Sequence, residues 1–443
     1  MIKYIIKIIT IFYFILKMIK YYNYYLELNK NYVNYQRELN ITFPLKIKKK
    51  ITIGIYTLCL KNGGRARITS ILINLLNKIK IFNIYLFSVK NKEDNEYKIP
   101  LTIKRLVIKN QNLTKIFKFK IDIIICNLNG LNKISNLNKF KKIKVIYYMH
   151  NSIFYFIYSN INYFKHFYKE HIKSNYLISQ IPIENDYIFK KWGINSILMN
   201  SFITYNYNLI FPSDLSSKTI LMIGRANNKI KRFEIGIMSM EYIIQQIKDC
   251  ELKIVSLIYG IYDLINLIEN LNLGNKVKFI GFNEYPEIFF KNVSLHFFPT
   301  ITESFGLALS ETKIHGIPNI LLGLDYISIS HNGTIILYDD TPESLAKEAI
   351  KILINNMYNK FLSKQSKKDM IKYKNELLIQ KWIKLILSIY NGNSYYKELR
   401  KRNIKLSEYN GYLILNKQIK MLQMRNKNFE NININNFINF SFI

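Results

Sequence analysis

Acidic residues are scarce in this chain: 30 Asp and Glu stand against 64 Lys and Arg over 443 residues, a formal net charge of +34. Such a balance ordinarily points to nucleic acid or an anionic surface. Here Ile, Lys, Asn and Tyr dominate core-like and linker-like segments alike, which is a bias of the whole composition and not a localised footprint. No discrete basic run with interleaved aromatics and no nucleic-acid reading motif occurs, so nucleic acid is not expected as a partner. The basic surface favours anionic lipids and phosphorylated ligands.

Cysteine is nearly missing too. Cys59, Cys126 and Cys250 each fall in or beside a strand-like run without paired spacing, which excludes a disulfide framework and a zinc site. No Asp-x-Asp occurs, and no His/Cys/Asp cluster has metal-ligand spacing. Long apolar runs are also lacking. Tyr4 to Leu16 is apolar but interrupted by Lys7 and closed by Lys17, short of the ~20 residues that span a bilayer. No small-residue cleavage site follows it. Residues 1–25 are therefore read as a hydrophobic N-terminal segment, either a membrane anchor that is interfacial or weakly inserted or a merely hydrophobic extension.

What is present is enough core for two lobes. A hydrophobic fraction of 49% and an aromatic fraction of 14% belong to a packed protein. From Ile51 onward short apolar runs alternate with longer amphipathic ones, the pattern of strand–helix repeats in an α/β protein with parallel sheets. Strands are expected at 51–57, 81–89, 101–108, 122–128, 144–150, 175–181 and 196–202, with a helix at 66–80. Around Tyr205 to Lys218 the periodicity breaks at a polar, Pro212-containing linker. A second series follows, with strands at 219–225, 251–256, 277–282, 295–300, 318–324 and 334–339 and helices at 232–247 and 342–353. The division expected is an N-terminal domain over 26–210, a second domain over 211–372, a C-terminal helix within 373–395 and an Asn/Lys-rich tail over 396–443.

Four constellations carry chemistry. Thr302-Glu303-Ser304-Phe305-Gly306-Leu307-Ala308-Leu309-Ser310-Glu311, followed by His315-Gly316-Ile317-Pro318, puts two carboxylates eight residues apart where a strand gives way to a helix. Ligands bind outside the carboxyl ends of strands in open parallel sheets, and a helix start offers free amides to an anion. Gly224-Arg225 and Lys231 follow the first strand of the second domain, where a guanidinium fork and an ammonium suit a diphosphate. Asn62-Gly63-Gly64-Arg65-Ala66-Arg67 lies between the first strand and first helix, where glycine lets a backbone approach a ligand. His150 closes the run KVIYYMH.

The first constellation resembles the E-x7-E segment of retaining GT-B glycosyltransferases of family four (glycosyl transferases group 1), which usually reads E-G-F-G-x-x-x-x-E and ends in G-x-P. Ser304 replaces its first glycine. Arg225 and Lys231 match the family's G-R and following Lys, and Gly63-Gly64 its N-terminal Gly-Gly loop. The resemblance spans about Ile51 to Leu387 and is densest from Thr219 to Leu353. It implies a GT-B fold, two Rossmann-like domains facing across a cleft, the first reading the acceptor and the second holding the nucleotide-sugar donor.

By the same resemblance Glu311 would bind the ribose hydroxyls and Glu303 would face the transferred sugar near its reacting carbon. Arg225, Lys231, Gly63, Gly64, Phe305 and Gly306 would complete the donor site, and His150 would contact the sugar beside the reaction centre. The activity implied is transfer with retention from a UDP- or GDP-sugar to a lipid-linked or glycan acceptor. It would need no cofactor beyond that co-substrate and no metal, the leaving diphosphate being stabilised by Arg225, Lys231 and helix amides. A front-face route and a covalent intermediate both remain open. Where the family shows G-G-x-x-E, this chain departs and reads Gly323-Leu324-Asp325-Tyr326. A cytoplasmic protein at the cytosolic face of a membrane is expected; the alternative is a catalytically inactive nucleotide-sugar-binding or scaffold protein of the same fold.

Overall fold

The computed structural model describes residues 49–392, apart from residue 62, the stretches 109–115, 128–142, 156–175, 189–193, 204–213 and 323–331, and a few shorter gaps. The N-terminal segment 1–25, the tail 396–443, most of the expected linker and the Gly323 segment lie outside the described residues. None of the described helices is long and apolar enough to cross a membrane.

Two wholly parallel sheets form the frame. The first contains β1 (Ile51–Thr57), β2 (Phe82–Ser88), β3 (Lys104–Val107), β4 (Ile123–Cys126), β5 (Lys144–Tyr148), β6 (Tyr176–Ser179) and β7 (Ile197–Leu198), in the order β3-β2-β1-β4-β5-β6-β7. The second contains β8 (Thr219–Ile223), β9 (Glu251–Val255), β10 (Val277–Phe279), β11 (Leu295–Phe298), β12 (Asn319–Leu322) and β13 (Thr334–Leu337), in the order β10-β9-β8-β11-β12-β13. Parallel strands covered on both faces read as continuous apolar runs, and every residue of β1, β4 and β11 is buried. In each sheet the chain runs outward to one edge and restarts beside the first strand. The order therefore reverses between β1 and β4 in the first lobe and between β8 and β11 in the second. Those are the switch points at which a crevice opens beyond the strand ends.

The helices are α1 (Gly64–Asn77), α2 (Phe233–Gln246), α3 (Tyr262–Asn270), α4 (Leu307–Ile314), α5 (Pro342–Ile354), α6 (Asn356–Met370) and α7 (Asn375–Tyr390). Helix α1 buries Ile68, Leu72, Ile73 and Leu76, the 3.6-residue stripe of a surface helix. Thr341 caps α5 by accepting a bond from the Ser344 amide at 3.2 Å, and Pro342 occupies the first helical position.

Helix α7 does not stay with the second lobe. Leu378, Trp382, Leu385 and Ile386 join a core otherwise made by the first lobe, with residues of β1, β2, β4, β5, β6, β7 and α1, and Trp382 meets Tyr148 edge-on at 5.2 Å. Asn375 clamps the backbone of Ile203, accepting from its amide at 3.0 Å and donating to its carbonyl at 2.8 Å.

Candidate active site

The second lobe supplies two carboxylates from one short segment. After β11 the chain runs through Thr300 to Phe305, then Gly306 takes a left-handed conformation (φ 73°) and caps α4. Glycine alone adopts that geometry without a Cβ penalty. The spacing leaves Glu303 on the loop and carries Glu311 into the helix, where it is only 4% exposed. The loop after β8 lies against this segment: the Ile301 amide donates to the Ile230 carbonyl at 2.9 Å. Lys231 forms an ion pair with Glu303, and its ammonium sits 5.7 Å from the centre of the Phe298 ring. The next residue, Arg232, is left-handed (φ 53°), unusual for a residue with a side chain and worth ~1–2 kcal/mol of backbone strain. Arg225, on the same loop, is exposed and makes no ion pair among the described residues.

The first lobe meets these groups across the cleft. Gly63 (φ 85°) precedes α1 and has open space where a Cβ would stand, whereas a Cβ on Gly64 would come within 2.8 Å of Leu307 at the start of α4. Arg67, in the first turn of α1, forms an ion pair with Glu311, so the two lobes are joined by charge. They are joined again by the Ser304 hydroxyl, which donates to the His150 carbonyl at 2.8 Å. A buried chain fixes the His150 ring. Thr69 donates to the Arg65 carbonyl at 2.7 Å, Asn127 donates to Thr69 at 3.1 Å, and the Asn127 carbonyl oxygen lies 3.1 Å from Nε2 of His150. Asn127 thus presents an acceptor to Nε2, which makes Nε2 the protonated nitrogen and leaves Nδ1 as a buried lone pair with no partner. Burial first, and then the Arg65 charge, push the His150 pKa down to about 3, so the ring is neutral at physiological pH.

Residues 210–375 match the glycosyl transferases group 1 family. The match lies within the second lobe and takes in β8 to β13. Solved structures similar to the whole frame include sucrose-phosphate synthase from Thermosynechococcus elongatus (14% identity, TM-score 0.65, 78% of this chain and 100% of that one). Another is HepE of Anabaena in complex with UDP and glucose (13%, 0.63, 76% and 100%). A third is a mutant of S. aureus TarM in complex with fondaparinux, alpha-GlcNAc-glycerol and UDP (13%, 0.61, 76% and 99%). At these identities the likeness is one of fold, and the fold is GT-B. No curated protein matches the chain.

Within the two lobes, the residues singled out from sequence fall around one cleft with different standings. Glu303 and Lys231 pair with each other, Gly306 caps the helix that carries Glu311, and His150 is linked through its own carbonyl to Ser304, the neighbour of Glu303. Phe305 lies beneath the loop. Its side chain is 1% exposed and packs edge-on against Tyr373 at 5.3 Å, so it supports the loop from the core. Arg67, Asn127 and Ser304 join the site without a role expected of them from the sequence. Arg67 stood in the quoted Gly-Gly segment, and the scarcity of arginine in so lysine-rich a chain was the signal that could have found it. Among the described residues no three His, Cys, Asp or Glu side chains gather as a metal site would require.

Proposed function

We propose that the protein is a retaining glycosyltransferase of family four that moves a sugar from a UDP- or GDP-sugar to a lipid-linked or glycan acceptor without a metal ion or further cofactor. The observation that carries this reading is the pairing of both switch-point carboxylates with cations: Glu311 with Arg67 and Glu303 with Lys231. A sugar nucleotide offers hydroxyls for the carboxylates and a diphosphate for the cations, so one ligand answers all four groups.

In this reading Arg225 and Lys231 hold the diphosphate, Glu311 accepts the ribose hydroxyls and Glu303 faces the transferred sugar. The bond from the anomeric carbon to the diphosphate oxygen breaks while that oxygen gathers charge, and fixed cations in a water-poor cleft favour that charge. The acceptor hydroxyl gives its proton to the departing diphosphate and bonds to the same face of the sugar. His150 stays neutral, and its Nδ1 lone pair accepts a sugar hydroxyl. The catalytic lobes belong to the cytoplasm, with residues 1–20 holding the chain at an anionic membrane face. Equal solubility of full-length and 1–20-deleted chains in fractionated cells is the result that would end that last part.

Thermal shift against UDP-, GDP- and ADP-sugars tests the donor site, since a ligand bound only to the native state raises its melting temperature. Donor hydrolysis and the anomeric configuration of the product then test turnover and retention. No shift with any sugar nucleotide contradicts the reading; a shift without turnover favours the alternative, an inactive binding protein of the same fold.

A further inference from the structure

Helix α1 begins with an electrostatic conflict. Its first turn contains Arg65 and Arg67 and no acidic residue, at the end where a helix already presents positive charge. Nothing acidic on that turn offsets Arg67. Its counter-charge is Glu311, on a helix of the other lobe and 244 residues further along the chain. The pair is sheltered, with side chains 12% and 4% exposed, so neither member relies on water for solvation. Glu311 is also the carboxylate assigned to the ribose, and an oxygen holding a guanidinium has less left for a hydroxyl.

Around this pair the charges do not cancel. Glu311 and Glu303 match Arg67 and Lys231, and the segments that carry these two cations add Arg65 and Arg225, an excess of two positive charges, equal and opposite to those of a sugar-linked diphosphate. Ribose and diphosphate are adjacent parts of one molecule. The group that takes Glu311 away from Arg67 therefore arrives with the group best suited to receive a guanidinium, because arginine binds phosphate with a two-pronged fork.

We propose that Arg67 is a donor-binding residue of the N-terminal lobe, held on Glu311 in the empty enzyme and transferred to the donor diphosphate when the ribose claims Glu311. The proposal rests on the glycosyltransferase reading of the cleft and adds to it a charge exchange between the lobes. Its consequence is that a nucleoside without phosphates must break the Arg67–Glu311 pair and offer Arg67 nothing in return. Arg67 thereby opposes nucleosides and favours nucleoside diphosphates.

Calorimetry with UDP and uridine, and in parallel GDP and guanosine, on the full chain and its variants tests this. Arg67→Leu should weaken binding of the preferred diphosphate ten- to a hundredfold while tightening binding of the matching nucleoside severalfold, and Arg67→Lys should fall between. Because Arg67→Leu strands a buried carboxylate, Arg67→Leu/Glu311→Gln guards against misfolding: it should bind the diphosphate at least tenfold more weakly than Glu311→Gln alone. Equal weakening of nucleoside and diphosphate by Arg67→Leu would mean a merely structural pair and overturn the proposal. So would unchanged diphosphate binding by Arg67→Leu while Arg225→Ala and Glu311→Gln lose it, a result that leaves the donor site standing. If the parent chain binds neither diphosphate, the donor site itself is wrong and the exchange falls with it.

Discussion

Helix α4 carries Glu311, and two residues later it carries a charge with no exposure at all. Lys313 is 0% exposed and Asp369, on α6, is 1% exposed; their side chains meet at 2.7 Å. The ammonium also donates to the Asn332 carbonyl at 2.7 Å and reaches the Thr334 hydroxyl at 3.3 Å, so its three protons have three acceptors. Asp369 has other support, from Lys372 at 3.0 Å and the Asn332 amide at 3.3 Å. The two deletions are therefore unequal. Asp369→Leu abandons a buried ammonium to neutral acceptors and should cost ~3–5 kcal/mol. Lys313→Met leaves the carboxylate a second, partly exposed cation and should cost nearer ~1.5–3 kcal/mol, the worth of a hydrogen bond to a charged group.

Replacing both charges by apolar groups of similar volume should recover most of the loss. The lobes need not unfold together, so amide exchange along α4 should accompany urea unfolding followed by circular dichroism. Burial alone would raise the Asp369 carboxyl, but the Lys313 and Lys372 charges outweigh it and hold the pKa at about 2. Its folded value thus lies below its unfolded one. The stability it contributes is present above the ordinary carboxylate range near ~4 and is lost as pH falls toward about 2. Single variants each within ~0.5 kcal/mol of the parent, or a double variant as unstable as the two losses added, would refute this account of the pair.

Glu311→Gln should mainly raise the donor KM and Glu303→Gln should mainly lower kcat, because uniform binding and transition-state binding appear in different constants; kcat/KM within about threefold of the parent for both, below ~1 kcal/mol, removes both roles. Arg225→Ala should weaken donor binding ten- to a hundredfold, the value of a charge-assisted hydrogen bond of ~1.5–3 kcal/mol, and EDTA should leave turnover unchanged; activity lost to EDTA and restored by manganese contradicts the proposed chemistry. His150, with a pKa of about 3, should contribute no limb to the pH profile of kcat/KM between pH 5 and 8. Its folded pKa lies below the unfolded value near ~6.5, so the unfolded chain binds the proton more readily and the histidine destabilises the fold as pH falls through that range. His150→Gln should flatten this acid-side loss in a melting-temperature series.

The sheets were legible because their central strands are buried on both faces. Ile51–Thr57 is the expected 51–57 to the residue, and the other strands lie inside their expected spans. Runs were shortened where the backbone turns to other partners. The 196–202 run keeps only Ile197–Leu198 as strand, and the Asn200 side chain beyond it bonds the Gln180 carbonyl. Helix α6 has only a weak apolar period because polar residues share its inward face with Leu362 and Met370. Asn359, Ser366 and Asp369 point inward, bonding the Ser294 carbonyl, the Gly333 carbonyl and Lys313. In the cleft, residues that owe their place to one loop, such as Glu303, Gly306 and Lys231, could be read from local spacing. The pairing of Arg67 with Glu311 could not, because a contact across 244 residues exists only once the two lobes face each other.

The return of α7 to the first lobe has a consequence for how the protein is made. The first seven strands emerge from the ribosome long before Trp382, yet Trp382 and its neighbours Leu378, Leu385 and Ile386 fill the core those strands build. Domains generally fold in the order of their synthesis. This one must wait with an open apolar face while the whole second lobe is translated. A stalled or prematurely terminated chain that ends before Asn375 would hold a lobe lacking its last wall, a species suited to chaperone capture and not to catalysis.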